Sequence, residues 1–180
     1  MDLASASERD LVARARQGSR DAAGELFARH WPGAWRVALG ITGRRALAED
    51  IAQDAMERAF AALPRFDERR PFAPWLHRIV VNRALDLLRR ERRLVGLADA
   101  PDEALAAWDP DGSADRRMLA AIAGLSVERR AVVILRYGIG HAPTEIAAIL
   151  GVPVGTVHSR LARALEDLRG GIREGCCGSA

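Results

Sequence analysis

The sequence predicts an all-α protein: two small helical domains joined by an acidic flexible linker, the C-terminal one a helix-turn-helix domain. Three observations carry this. Apolar residues recur at helical spacing through most of the chain. Residues 143–168 read as two short helices around a glycine turn. Between the two helical regions, residues 94–115 hold Asp99, Asp102, Glu103, Asp109, Asp111 and Asp115, no basic residue, and Pro101, Pro110 and Gly112. That composition belongs to a linker rather than a packed element. The expected division is 1–93, 94–115, 116–170 and a flexible tail at 171–180.

Taken in order, Ser7 caps a first helix, with Asp10 as a weak capping box and Leu11, Val12 and Ala15 as its apolar side. Gly18 and Ser19 break it. A long helix over 21–41 carries Phe27, Trp31, Ala34, Trp35, Ala38 and Leu39, tryptophans suited to core or partner contact. Residues 42–45 read as a turn. The third helix, 47–63, has Ile51, Ala52, Ala55, Met56, Ala59, Phe60 and Leu63 on one face and Glu49, Asp50, Gln53, Asp54 and Glu57 on the other. Taken alone, such an acidic stripe is a solvated helix surface.

Residues 64–71 form a loop bounded by two prolines, holding Arg65, Phe66, Arg69 and Arg70. An aromatic ring beside arginines suits stacking on unpaired bases. The fourth helix, 72–93, buries Phe72, Trp75, Leu76, Ile79, Val80, Leu85 and Leu88. Arg78, Asn82, Arg83, Asp86, Arg89 and Arg90 lie on or near its exposed side. Arginines at its C-terminus complement the helix dipole. Phosphate contact accounts better for the wider stripe.

After the linker, 116–125 is a short helix with Leu119, Ile122 and Ala123 inward. Ser126 caps the next, 127–137, which buries Ala131, Val132, Ile134 and Leu135 and ends at Gly138 and Gly140. Ile146, Ala147, Ile149 and Leu150 then define a helix, Gly151 the turn, and Pro153 the start of a last helix stopped by Gly170 and Gly171. This second unit is small, so its core is marginal.

Ala147 is small enough for a close helix crossing, Gly151 supplies a left-handed turn, and Val157 anchors the second helix. The opposite face carries Thr156, His158, Ser159, Arg160 and Arg163, donors and cations that suit base edges and phosphates in a major groove.

Composition bounds the rest. The chain has 180 residues, 49% hydrophobic and 28% charged, with a net charge of +3 and every basic residue an arginine. This is globular rather than disordered composition. The first residues lack the apolar run of a secretory signal and no stretch approaches a membrane span, so a cytoplasmic protein is expected. Cys176 and Cys177 are adjacent and are read as reduced thiols in a loose tail. His30, His77, His141 and His158 are scattered, without metal-ligand spacing or a nucleophile beside them. No catalytic residue, metal or cofactor is expected, and the protein is not read as an enzyme.

Three stretches then carry a family resemblance. They are AEDIAQDAMERAF at 48–60, FAPWLHRIVVNRALDLLRRERR at 72–93, and LSVERRAVVILRYGIGHAPTEIAAILGVPVGTVHSRLARALEDLR at 125–169. The chain resembles a bacterial sigma factor of the extracytoplasmic-function (ECF) group. The three stretches are similar to its core-polymerase-binding helix, its −10 recognition and promoter-melting helix, and its −35-binding domain. The resemblance implies that the chain binds core RNA polymerase and promoter DNA, directs initiation and assists melting, with no small-molecule substrate. Asp50, Gln53 and Glu57 would face the clamp helices of the largest polymerase subunit, which replaces the solvated-surface reading of that stripe. Phe66, Arg69 and Arg70 would belong to a loop capturing a flipped base of the −10 strand. Trp75, Arg78, Asn82 and Arg83 would line the melted region, and Thr156, His158, Ser159, Arg160 and Arg163 would meet the −35 element. The second domain would read duplex at a linker's distance. Many relatives are held inactive by an anti-sigma factor, often membrane-bound.

Two departures bear on DNA affinity. His158 stands where the family often has Lys or Arg, and each lost phosphate contact moves the salt slope by about 0.9. Ala142 and Pro143 stand where a Ser-aromatic pair is common, and a lost Ser cap costs roughly 1 kcal/mol, partly offset by proline at the helix start. The competing reading is a free-standing helix-turn-helix regulator, and behind it a helical adaptor. The first does not explain an acidic third helix beside an arginine-rich fourth, and the arginine face of the recognition helix speaks against the second.

Overall fold

A computed structural model of the chain describes residues 5–95, 118 and 120–177. The linker reading falls for the most part on 96–117, outside the described residues.

Helix α1 spans Glu8–Arg16, and Ser7 Oγ accepts from Asp10 N at 3.1 Å. The Ser7 hydroxyl in turn donates to the Asp10 carboxylate, so the two residues close on each other rather than forming a full capping box. Ser19, which the sequence reading placed only as a breaker, caps α2 (Arg20–Thr42) by accepting from Ala22 N. Gly43 ends α2 in a left-handed conformation, φ 69°, with its N–H on Leu39 O at 2.7 Å. Helix α3 is Arg45–Ala62, followed by a single 3-10 turn, Leu63–Arg65. Helix α4 is Phe72–Val95.

Alanines set the spacing of this first unit. Ala34, Ala38, Ala52, Ala55, Ala59 and Ala84 are fully buried, so α2, α3 and α4 approach closely around Ile41, Ile51, Met56, Phe72, Leu76 and Val80. On the outer side of α2, Phe27 stacks on Trp31 at 5.0 Å, and Trp35 lies under the Arg45 guanidinium.

In the second unit, 120–123 are helical, and α5 is Val127–Val133. Ser126 precedes α5 but makes no side-chain cap hydrogen bond, contrary to expectation. The predicted helix over 127–137 changes pitch: Ile134–Ile139 is a π-turn, closed by Gly140 at φ 95°. Helix α6 is Pro143–Leu150 and α7 is Val154–Cys177. Gly151 takes φ 65°, as the turn requires. Gly170 and Gly171 do not stop the last helix; the backbone stays helical to Cys177, which replaces the loose-tail reading. Two glycines weaken a helix interior without forbidding it.

The two units are not apart. A single apolar core runs from Leu11 through α2, α3 and α4 to Val132, Leu135, Ile146 and Val157. A smaller cluster, Leu125, Val133, Ala164 and Leu168, ties α5 to α7. The two helical units therefore share one packed interior among the described residues.

Candidate nucleic-acid interface

The helix-turn-helix is built as its residues require. Val152 N donates to Ala147 O at 3.1 Å across the turn, and Val157 is fully buried against it. Ala142 has no side-chain acceptor, but its N–H donates to Glu145 Oε2 at 2.8 Å, so half a capping box survives. On α7, His158, Ser159 and Arg163 are exposed, and Thr156 and Arg160 half-buried. The Ser159 hydroxyl is turned back on Thr156 O at 3.0 Å. A Cβ at Gly155 would meet nothing within 4 Å, so the first turn of α7 is open to a bulky group such as a phosphate.

On α3, Asp50, Gln53 and Glu57 are all exposed, and Gln53 Nε2 donates to Glu57 Oε1 at 3.1 Å. Their neighbours are engaged elsewhere. Glu49 pairs with Arg45, and Asp54 pairs with Arg58 on its own helix and with Arg83 of α4 at 2.8 Å. The stripe therefore divides into an outward face and a carboxylate that braces α3 against α4. Arg83, read from sequence as lining the melted region, is half-buried in that brace.

The loop after α3 gives the clearest correction. Phe66 is only 7% exposed, wedged against Phe72 and Trp75 with ring centroids 5.7 and 4.6 Å away. The loop folds its one aromatic against the core of α4, so the ring is a packed surface rather than a free stacking partner. Arg69 and Arg70 remain exposed, as do Arg78 and Asn82 of α4, while Trp75 is half-buried.

Beside the loop is a cavity of about 330 Å³ lined by Glu8, Arg9, Val12, Phe66, Arg69 and Arg70, with Glu68 and Pro71. The contribution of α1 was not foreseen. Glu8 Oε1 accepts from Phe72 N at 3.0 Å, capping α4 from a distant helix, and its other oxygen lies 3.0 Å from His30 Nε2. Burial pushes the His30 imidazole below its ordinary pKa, against the pull of Glu8. Arg16 holds the loop by donating to Pro64 O at 3.1 Å and pairing with Glu68. These are contacts between residues some fifty apart in sequence, and no local pattern announces them.

The other histidines are placed as well. His77 and His141 meet inside the core, and His158 is exposed on α7. Among the described residues no group of three His, Cys, Asp or Glu converges on a common point, and no helix is long and apolar enough to cross a membrane.

Residues 26–94 match the Sigma-70 region 2 family and residues 115–168 the Sigma-70, region 4 family. The ECF RNA polymerase sigma factor SigL of Mycobacterium tuberculosis is 38% identical over 155 residues, covering 80% of this chain and 85% of the relative. A structure of CnrH in complex with the cytosolic domain of CnrY superposes with a TM-score of 0.72 at 30% identity, covering 96% of this chain and 99% of that one. The sigma factor RpoE of Bartonella quintana, in complex with the anti-sigma factor NepR, gives a TM-score of 0.73 at 25% identity over 83% and 96%.

Proposed function

The chain belongs to the sigma-70 family, in its extracytoplasmic-function group, and we propose how its surfaces divide the work of initiation. It is a sigma factor that directs RNA polymerase to promoters. Asp50, Gln53 and Glu57 on α3 form the core-polymerase docking face. His158, Ser159 and Arg163, exposed on α7, read the −35 duplex together with the half-buried Thr156 and Arg160. Arg69, Arg70, Arg78 and Asn82 hold the −10 strand once it opens. Arg83 and Trp75 support that surface from partly buried positions. The first unit, 1–93, thus carries docking and melting, and 116–170 carries upstream recognition.

The cavity between α1 and the loop is the observation that carries the melting half of this reading. Its volume suits one heterocyclic base, and its walls offer what a flipped base needs: arginine donors, carboxylate acceptors and apolar surface. Glu8 and Arg9 join Arg69 and Arg70 as its walls, while Phe66 forms its floor. Base capture there offsets part of the few kcal/mol spent on unpairing. No covalent step is asked of this chain; the polymerase supplies catalysis. Working with RNA polymerase, it acts in the bacterial cytoplasm. A protein antagonist of the kind bound to RpoE is a further partner.

Permanganate reactivity of unpaired −10 thymines tests the reading. With core polymerase and promoter, the native chain opens the −10 region. Arg69→Ala/Arg70→Ala lowers that reactivity while duplex binding at −35 persists. Full opening by the double variant would remove the capture role.

A further inference from the structure

The polar walls of the cavity between α1 and the 64–71 loop are not equivalent. Its carboxylates are already engaged. Glu8 Oε1 accepts from Phe72 N at 3.0 Å, and Glu8 Oε2 lies 3.0 Å from His30 Nε2. Glu68 pairs with Arg16. Asp67, which lines an adjoining cavity, accepts from Arg69 N at 3.1 Å and faces Arg70 Nε at 3.8 Å. The cations are less committed. Among the described residues, the guanidinium groups of Arg9 and Arg69 have neither a hydrogen bond nor an ion pair, and both residues are exposed. Arg9 comes from α1 and Arg69 from the loop, and both line this cavity and the adjoining one.

The groups left to meet a base are therefore donors. A guanidinium carries only N–H donors, held in a planar fork, and has no acceptor. The fork is satisfied by two acceptors side by side. Guanine presents N7 and O6 in that relation, and an unpaired cytosine presents N3 and O2. Adenine sets its amino group beside both N1 and N7, and thymine sets its N3 proton between O2 and O4. A fork facing either of these meets one acceptor and one donor. Two donors left facing each other out of water forfeit about as much as the remaining bond supplies. The carboxylates that would accept from an adenine amino group are held by Phe72 N, His30 and Arg16. Size makes no such choice, because a cavity of about 330 Å³ floored by Phe66 admits a purine or a pyrimidine.

We propose that this cavity selects the captured −10 base, taking guanine or cytosine and rejecting adenine and thymine, with the Arg9 fork of α1 as the selecting group. Arg9 and Arg69 differ in how they are held. Glu8, the residue before Arg9, ties α1 to Phe72, the first residue of α4, so Arg9 is carried on a fixed wall. Arg69 rides on the loop. A donor fork mounted on a fixed helix loses less freedom on pairing, and its geometry discriminates more sharply. This selection rests on the base capture proposed above, and adds which bases are taken and which residue outside the loop decides.

Binding of forked promoter fragments to the complex of the full chain with core polymerase tests it. The fragments come from a promoter that the chain opens and are single-stranded across the −10 element. Each carries one of the four bases, or an abasic site, at one −10 position at a time. The expected result is one position at which guanine or cytosine binds about ten-fold tighter than adenine, thymine or the abasic site. Arg9→Ala brings the guanine and cytosine fragments down to the level of the others, at unchanged helix content by circular dichroism. Arg9→Lys keeps the charge without the fork and does not restore the preference. Equal binding of all four bases where the abasic site is weak, or a preference there for adenine or thymine, would overturn the selection and leave base capture standing. An abasic site that costs nothing at any position would remove base capture itself. Selection retained in Arg9→Ala or Arg9→Lys would overturn the assignment to Arg9. A uniform loss across all fragments in Arg9→Ala would overturn it too, by making Arg9 a phosphate contact.

Discussion

His77 and His141 share one buried hydrogen bond, Nδ1 to Nε2 at 2.7 Å, with their rings edge to face and 5.0 Å apart. One ring donates and the other accepts, so the bond requires at least one of the two to be neutral. His77 is the constrained partner. Burial, and then the neighbouring His141, His30 and Arg36, push its pKa down to about 3. Glu145 faces the far side of His141 at 3.4 Å, and Glu8 stands beside His30.

Stability should therefore fall with acidification. Unfolded, His77 takes a proton near pH 6.5; folded, it does so only near 3. Between those values the unfolded chain binds more protons, so the contribution is complete above about pH 6.5 and is lost as pH falls. From pH 7 to 5 the loss is about 2 kcal/mol. Denaturant titrations at the two pH values measure it, and His77→Gln should flatten the dependence. Equal stability of the native chain at both values would contradict the burial of a neutral His77.

Phe66→Ala should act on stability. A ring removed from between Phe72 and Trp75 costs about 3–5 kcal/mol. Thermal unfolding of the variant checks this. A variant as stable as the native chain but unable to open promoters would return Phe66 to a base-stacking role.

Arg160→Ala should weaken binding to a −35 duplex by about 1–3 kcal/mol while leaving core-polymerase binding unchanged. The reverse change at the neighbouring position is equally informative. His158→Arg should tighten duplex binding and steepen its salt dependence by about 0.9 in log–log slope. Titrations across a salt series read both. Unaltered affinity in both variants would remove the exposed face of α7 from DNA contact.

Asp50→Arg should weaken association with core polymerase by about 2 kcal/mol or more, the cost of reversing a charge in a complementary interface. Asp50 is exposed and forms no ion pair among the described residues, so the same change should leave folding intact. Co-purification with core at native levels would contradict the docking face.

The helices were legible because their apolar residues keep a 3.6 period. Ser7, Gly151 and Val157 act as their chemistry requires. The contact between the two units was not legible. Arg130 sits in a Glu-Arg-Arg run and reads as a surface cation, yet its partner carbonyl is 89 residues away. Gly40 lies inside a helix, where its only sequence-level meaning is a weak point, yet a Cβ there would lie 2.7–2.9 Å from three side-chain carbons of Ile134. The π-turn keeps the same residues as an α-helix and shifts only their pitch. Phe66 and Glu8 show the same limit within the candidate site. A ring on an arginine loop looks available until Phe72 and Trp75 are placed beside it. A first-turn glutamate looks local until it is found capping α4. Local chemistry specified the elements; contacts between distant residues decided which side chains stay free to act.

The most direct test of the central claim is transcription in a purified system. Core polymerase from the source organism is supplied with pooled genomic promoter fragments, with and without this protein, and transcript starts are mapped. New, defined start sites that require the protein are expected, lost with Asp50→Arg and reduced with Arg160→Ala. Binding of the chain to promoter fragments without core, and no protein-dependent starts, would contradict the central claim and favour a free-standing regulator.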